Sequence, residues 1–316
     1  MVTVILLVSI AILVGVYALG SRADLFGRPS SASSEASSSV LPEPPSGTGS
    51  PSVDVTVSPM VPTGTPLPTV SPTTAPGSLS TRKLGWYYYA SNKEGVPPTI
   101  PDAQKTLCSR YGGIWQGDTS KKKIAITMDV GYEYNNNTTK ILDIAREKDV
   151  RIAFFVVGSL FPKANLKTMF LRMYDEGHLV ANHSWNHPKY DELFVKSGRA
   201  GVEAELRKAE DAFADLTGAS MEKYFRFPSG EYSEAVLSLM NDLGYKSVFW
   251  SFAYRDWLID EQPDPAGAKK TVLKGLHNGA VLLLHTVSNT NVAILPELID
   301  EIRARGYEIV RLDELD

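Results

Sequence analysis

Few residues of this chain can do chemistry, and their positions follow a pattern. Of its five histidines, His183 and His187 stand four apart in HSWNH. That spacing puts two imidazoles on one helical turn or tight loop, close enough to bind one ion. An isolated pair of this kind reads as a solvated or core pair. An aspartate at the end of another strand, facing the pair, turns the reading toward a divalent metal, zinc or similar. Asp129 has that position, closing the apolar run IAITM, while His183 follows HLVAN. Arg226 follows EKYF, His285 follows AVLLL, and Asp256 comes shortly after KSVFWSF. His178 and His277 read as structural, one starting a strand and the other ending a helix.

The elements that must position these residues alternate in type. Apolar runs of strand length cover Ile124 to Asp129, Ile152 to Val157, His178 to His183, Lys223 to Phe227, Lys246 to Phe252, Ala280 to His285 and Tyr307 to Leu312. Helical periodicity appears between them, as at Thr139 to Lys148, Val202 to Leu216, Ser233 to Leu243 and Ala293 to Arg305. Seven β-α steps predict an α/β domain with a parallel sheet, closed as a barrel or wound open. In either form ligands bind at the carboxyl ends of the strands, so the reactive residues above form one rim.

Composition divides the 316-residue chain in three. Val2 to Gly20 carries no charged side chain and is long enough to cross a bilayer, so residues 1–21 read as a transmembrane anchor or a signal peptide. Residues 22–80 read as a disordered stalk: from 29 to 80 there are 11 of the 20 prolines, 14 serines and no aromatic residue, too little apolar surface to offset ordering entropy. Residues 81–316 read as the folded domain. A net charge of −4 argues against a nucleic-acid partner. The single cysteine, Cys108, excludes an intramolecular disulfide framework, a thiolate zinc cluster and a CxxC redox pair.

The segments TMDVGYE (127–133), NHSWNHP (182–188), RFPSG (226–230), RDW (255–257) and LLLH (282–285) resemble the five ordered motifs of the polysaccharide deacetylases, carbohydrate esterase family four. GWYYYASN, GIWQGDTSKK, DVGYE and HTVSNTN narrow the resemblance to the delta-lactam-biosynthetic de-N-acetylases, which remove acetyl from N-acetylmuramic acid of peptidoglycan in spore-forming bacteria. The resemblance implies a distorted β/α barrel of about seven strands. It also implies a divalent metal on His183 and His187, Asp129 as base, Arg226 holding that base ionised, and His285 protonating the leaving amine with Asp256 as its charge partner. The backbone at Ser229, with Gly230 allowing the turn, would bind the oxyanion, and Trp257 and Leu283 would enclose the acetyl methyl. The implied partner is the peptidoglycan glycan strand, and the implied location is the extracytoplasmic cell wall, reached by a membrane anchor or by secretion, in sporulation.

One position departs from the family. Where the wider family has a second aspartate as third metal ligand, this chain has Val130, which offers no donor. Two other readings therefore stand beside the muramic acid deacetylase: a deacetylase of another acetylated glycan, and a catalytically silent carbohydrate-binding domain. A serine hydrolase is set aside, because no GxSxG elbow frames Ser229.

Overall fold

The computed structural model describes residues 79–89, 91 and 93–316; the expected anchor, and the stalk up to residue 78, lie outside the described residues. Among the described residues no helix is long and apolar enough to cross a membrane. The strands are β1 (Leu84–Gly85), β2 (Lys123–Val130), β3 (Ala153–Val156), β4 (Leu179–Asn182), β5 (Tyr224–Phe225), β6 (Glu231–Tyr232), β7 (Lys246–Ser247), β8 (Ala280–His285) and β9 (Glu308–Ile309). The α-helices are α1 (Asp102–Arg110), α2 (Asn137–Glu147), α3 (Lys167–Asp175), α4 (Tyr190–Thr217), α5 (Glu234–Asp242), α6 (Pro265–Lys274) and α7 (Asn289–Ala304).

Seven strands form one parallel sheet in the order β7-β5-β4-β3-β2-β8, with β9 pairing the start of β2. β2, which pairs with β3, β8 and β9, is buried from Ile124 to Val130, as expected where both faces of a parallel sheet are covered. Side chains alternate across it. Ile124, Ile126, Met128 and Val130 share a core with Ile141 and Leu142 of α2 and Leu295, Leu298 and Ile299 of α7. Ala125 belongs instead with Phe155, Ala181 and Leu283. Thr127 and Asp129 take this second face by the two-residue period.

The sheet curls until its edges meet. Beyond β7, Val248 donates its N–H to the Phe225 carbonyl on one side, while Phe252 bridges Leu282 of β8 in parallel on the other. The chain between β7 and Phe252 thus closes the distorted barrel, and it does so without forming a full strand. Here the structure differs from the expected Lys246–Phe252: Phe249 N–H donates to the Ile114 carbonyl and Ser251 N–H to that of Val281, so no single neighbour supplies a continuous ladder. The expected Lys223–Phe227 and Tyr307–Leu312 likewise shorten to two paired residues each. Beyond Phe225, Arg226 N–H still donates to the Asn182 carbonyl of β4 at 3.1 Å, while the Arg226 carbonyl accepts from His183 Nδ1.

The amino-terminal segment covers the irregular closure. β1 pairs antiparallel with β6, Trp86 stacks on Phe249 at 4.5 Å between ring centroids, and its Nε1 donates to the Trp250 carbonyl. The aromatic cluster around Trp86 is therefore largely packing, although Tyr87 and Tyr88 remain exposed.

Each expected helix is present: α2, α4 and α7 start earlier than expected, while α5 is a residue shorter at each end. Val202–Leu216 is the second part of α4, which Gly198 interrupts with φ 59° and ψ −159°, a backbone conformation open to glycine. Ser233 begins α5 by accepting from Val236 N–H, and Ser288 begins α7 by accepting from Asn291 N–H. The α7 cap matters for the site, since it lies three residues beyond His285.

Candidate active site

Asp129 and His285 are register partners at the carboxyl ends of β2 and β8, so parallel pairing alone puts them side by side on one face. His183 follows β4, Arg226 follows β5, and Asp256 lies in the loop after the barrel closure. The structure brings these five together.

Arg226 is fully buried. Its Nη1 donates to Asp129 Oδ1 at 2.7 Å, Nη2 to Thr127 Oγ1 at 2.7 Å, and Nε to the Val248 carbonyl at 3.3 Å. Its guanidinium lies 3.9 Å from the Phe155 ring centroid, a cation-π contact in a dry setting. An ordinary surface ion pair is excluded by this burial. Burial alone would raise the Asp129 carboxyl, but Arg226, aided by the neighbouring imidazoles, outweighs it and holds the group below its usual value. Asp129 is thus a buried carboxylate kept ionised, with Oδ1 occupied by Arg226 and Oδ2 facing His183 Nε2 at 3.5 Å and His285 Nε2 at 4.0 Å.

The second pair has the opposite electrostatics. Burial works to lower the His285 imidazole, yet Asp256 raises it above its usual value through charge and hydrogen bond together. His285 Nδ1 donates to Asp256 Oδ1 at 2.7 Å, and the His285 backbone N–H donates to Oδ2 at 2.8 Å. Asn291 completes the set, its Nδ2 donating to Asp256 Oδ2 at 2.7 Å and to the His285 carbonyl at 3.1 Å. Tyr254 in turn donates to Asn291 Oδ1.

His183 and His187 have ring centroids 4.9 Å apart at 78°. His183 Nδ1 must donate to the Arg226 carbonyl at 2.8 Å, so Nε2 presents a lone pair toward Asp129 Oδ2. Burial pushes the His183 imidazole down to about 4, keeping it neutral. Two acceptors facing one another at 3.5 Å repel unless a cation or a proton donor stands between them, and an Nδ1-anchored imidazole is the usual form of a histidine ligand. The exposed His187 supplies a second nitrogen at the rim. These residues fit a divalent ion with two protein donors. Among the described residues no group of three or more His, Cys, Asp or Glu side chains forms a metal set, so further positions would fall to water or substrate. Val130 is fully buried in the helix-side core and contributes nothing.

Ser229 is exposed in a three-residue turn with φ 56°, followed by buried Gly230 at φ 66°. A Cβ on Gly230 would lie 2.7 Å from the Trp86 carbonyl, so glycine is required there by space as well as by φ. Trp257 is half exposed with its ring 5.7 Å from His285, and Leu283 is buried two residues before it on the same face. His178 Nδ1 accepts from Ile152 N–H and His277 Nδ1 bonds the Gly275 carbonyl, in keeping with structural roles.

Sequence reasoning passed over two members of this site. Thr127 anchors Arg226 while donating to the Leu282 carbonyl, and Asn291 anchors Asp256. Both lie inside quoted motifs, TMDVGYE and HTVSNTN, but neither type suggests a role until its partner is seen.

Residues 116–248 match the family described as polysaccharide deacetylase. The chain is 38% identical over 226 residues to the peptidoglycan-N-acetylmuramic acid deacetylase PdaA of Bacillus subtilis, covering 71% of this chain and 83% of that protein. The solved structure of B. subtilis PdaA, a family 4 carbohydrate esterase, superposes with a TM-score of 0.69 at 33% identity, covering 75% of this chain and 98% of the other. The peptidoglycan-N-acetylglucosamine deacetylase PgdA of Listeria monocytogenes is 30% identical over 200 residues, 62% of this chain and 39% of that relative.

Proposed function

From the premise that this chain belongs to the polysaccharide deacetylases, carbohydrate esterase family four, as a peptidoglycan deacetylase hydrolysing amides, we propose that its substrate is N-acetylmuramic acid. The product would be a free muramic amine able to enter a delta-lactam. The observation that carries the hydrolytic reading is the pairing of two oppositely tuned groups across one 4.0 Å gap: the Asp129 carboxyl held below its usual value and the His285 imidazole raised above its own. The likeness to PdaA supports the choice of sugar.

A divalent ion on His183 and His187, zinc or similar, would polarise the acetamide carbonyl and acidify the attacking water. Asp129 takes the proton of that water through Oδ2, the oxygen that Arg226 leaves free. The backbone at Ser229 faces the developing oxyanion, and Trp257 with Leu283 bounds the acetyl methyl. His285 delivers its Nε2 proton to the sugar nitrogen, without which the amine is a poor leaving group. Asp256 steadies the imidazolium until then. A protein working on the wall in this way acts outside the cytoplasm, from an anchored or secreted position.

Mass spectrometry of muropeptides and of peptide-free glycan strands tests this, after incubation with the full chain with zinc or with chelator. Zinc-dependent acetyl loss on muramic acid is the expected result. Loss on glucosamine would favour the second reading, suggested by the likeness to PgdA. No loss from a folded protein that binds the strands would make it a silent binding domain. Val130→Asp, which would bury a carboxylate in the helix-side core that Val130 fills, is expected to lower the Tm and leave zinc affinity unchanged. Tighter zinc binding would show that this position can turn toward the imidazoles.

A further inference from the structure

The loop carrying both imidazoles has an unusual backbone. Ser184 and His187 have φ of 69° and 58°, left-handed conformations that residues with a Cβ keep only when their surroundings impose them. The five N–H groups of the loop show what does so. His183 N–H donates to the Val156 carbonyl at 3.0 Å, continuing the sheet. Ser184 N–H donates to Asn182 Oδ1, and His187 N–H to Ser184 Oγ, both at 2.8 Å. The two in the middle leave the loop altogether. Trp185 and Asn186 donate to the same oxygen, Glu205 Oε2, at 3.1 and 3.0 Å.

Among the described residues, Glu205 is the one side chain that accepts from the Trp185 and Asn186 amides. It rises from the second part of α4, whose Leu206, Ala209 and Phe213 are buried, so its base is fixed. A carboxylate oxygen receiving two consecutive amides makes charge-assisted bonds stronger than neutral ones. The close approach is itself built in. A Cβ on Gly158 would stand 2.5 Å from Ala209 Cβ and 3.1 Å from the Trp185 ring, so a glycine is needed for helix and loop to meet.

We infer that Glu205 is a positioning residue that clamps the 183–187 loop and thereby sets the angle and separation of the His183 and His187 rings. This rests on the reading of those imidazoles as metal ligands. Three variants of the full chain test it: Glu205→Ala, Glu205→Gln, and Glu203→Ala as a control, since Glu203 pairs with Arg199 and Arg207 of its own helix. The readouts are zinc affinity by calorimetry and amide hydrogen exchange across the loop.

Glu205→Ala is expected to weaken zinc binding by about ten- to a hundred-fold, the usual effect of removing support behind a ligand. It also speeds exchange at Trp185 and Asn186, while the amides of α4 beyond Gly198 keep their protection. Glu205→Gln, which retains an acceptor oxygen, restores most of both, and Glu203→Ala matches the parent. Unchanged affinity and exchange in Glu205→Ala overturns the inference, as does a Gln variant that loses protection throughout α4. Should the parent chain take up no zinc, the ligand reading falls, and the exchange rates alone decide whether Glu205 holds the loop.

Discussion

Asp129→Asn is expected to cut acetyl release from peptidoglycan by about 10²- to 10⁴-fold, the range a positioned base supplies. The substitution keeps an oxygen for Arg226 Nη1 but exchanges the free Oδ2 for an amide that cannot accept a proton. That amide would face His183 Nε2 across the present 3.5 Å and donate to it, occupying the lone pair a cation needs. A stability change accompanies the loss. Arg226 keeps its bonds to Thr127 and Val248, but its fully buried charge loses its counter-ion, a change that costs about 3–5 kcal/mol in such settings. The sign of the pH effect follows from the lowered carboxyl. A group whose folded value lies below the unfolded one, about 3.9, adds stability above that pH and loses it as pH falls through the folded value. The parent should thus lose stability in acid below about pH 4 through this group, and the variant should lack that component. Acetate release and urea midpoints over pH check both parts; a variant that hydrolyses at the parent rate removes Asp129 from the mechanism.

What could be read in the sequence was mostly position along a strand. A carboxylate after IAITM and an imidazole after AVLLL are visible as patterns, and parallel pairing turns them into the neighbours Asp129 and His285. The HSWNH spacing is local in the same way. Short strands were legible as apolar runs but not as ladders, because the pairing of Val248 to Phe252 is shared among Phe225, Ile114 and Val281, three partners from distant parts of the chain. Thr127, Asn291 and Glu205 escape for a related reason. Each holds its partner by one hydrogen bond or two across elements, at separations of 19 to 99 residues, and a threonine, an asparagine or a helical glutamate has no pattern that announces such a partner. The burial of Arg226 is also invisible in one dimension, since arginine is usually exposed and the aromatic face of Phe155 arrives from a different strand.

Asp256→Asn is expected to lower turnover by about 10²- to 10⁴-fold and, more tellingly, to move the alkaline limb of the rate profile toward lower pH. Burial favours a neutral His285, and Asp256 is what raises its pKa above the usual value, so replacing that charge lets the value fall. Protonated His285 is the form that donates, and it is lost as pH rises through its pKa; the limb therefore shifts acidward when the pKa drops. Geometry reinforces the electrostatics. Both oxygens of Asp256 accept: Oδ1 from His285 Nδ1, Oδ2 from the His285 backbone and from Asn291. An amide has one acceptor end: turned toward the His285 backbone N–H and Asn291 Nδ2, the introduced NH₂ meets donors, and turned toward Nδ1 it holds the imidazole in its neutral Nε2–H form. The same linkage reaches stability. A raised imidazole contributes fully below its unfolded value, about 6.5, and the contribution disappears as pH rises through the folded value, so the parent's advantage over the variant should shrink on the alkaline side. Rate profiles from about pH 5 to 10, with unfolding midpoints at the same points, decide the matter. An alkaline limb that stays in place would mean that another group delivers the proton, and that Asp256 serves only to hold the loop after the barrel closure against α7.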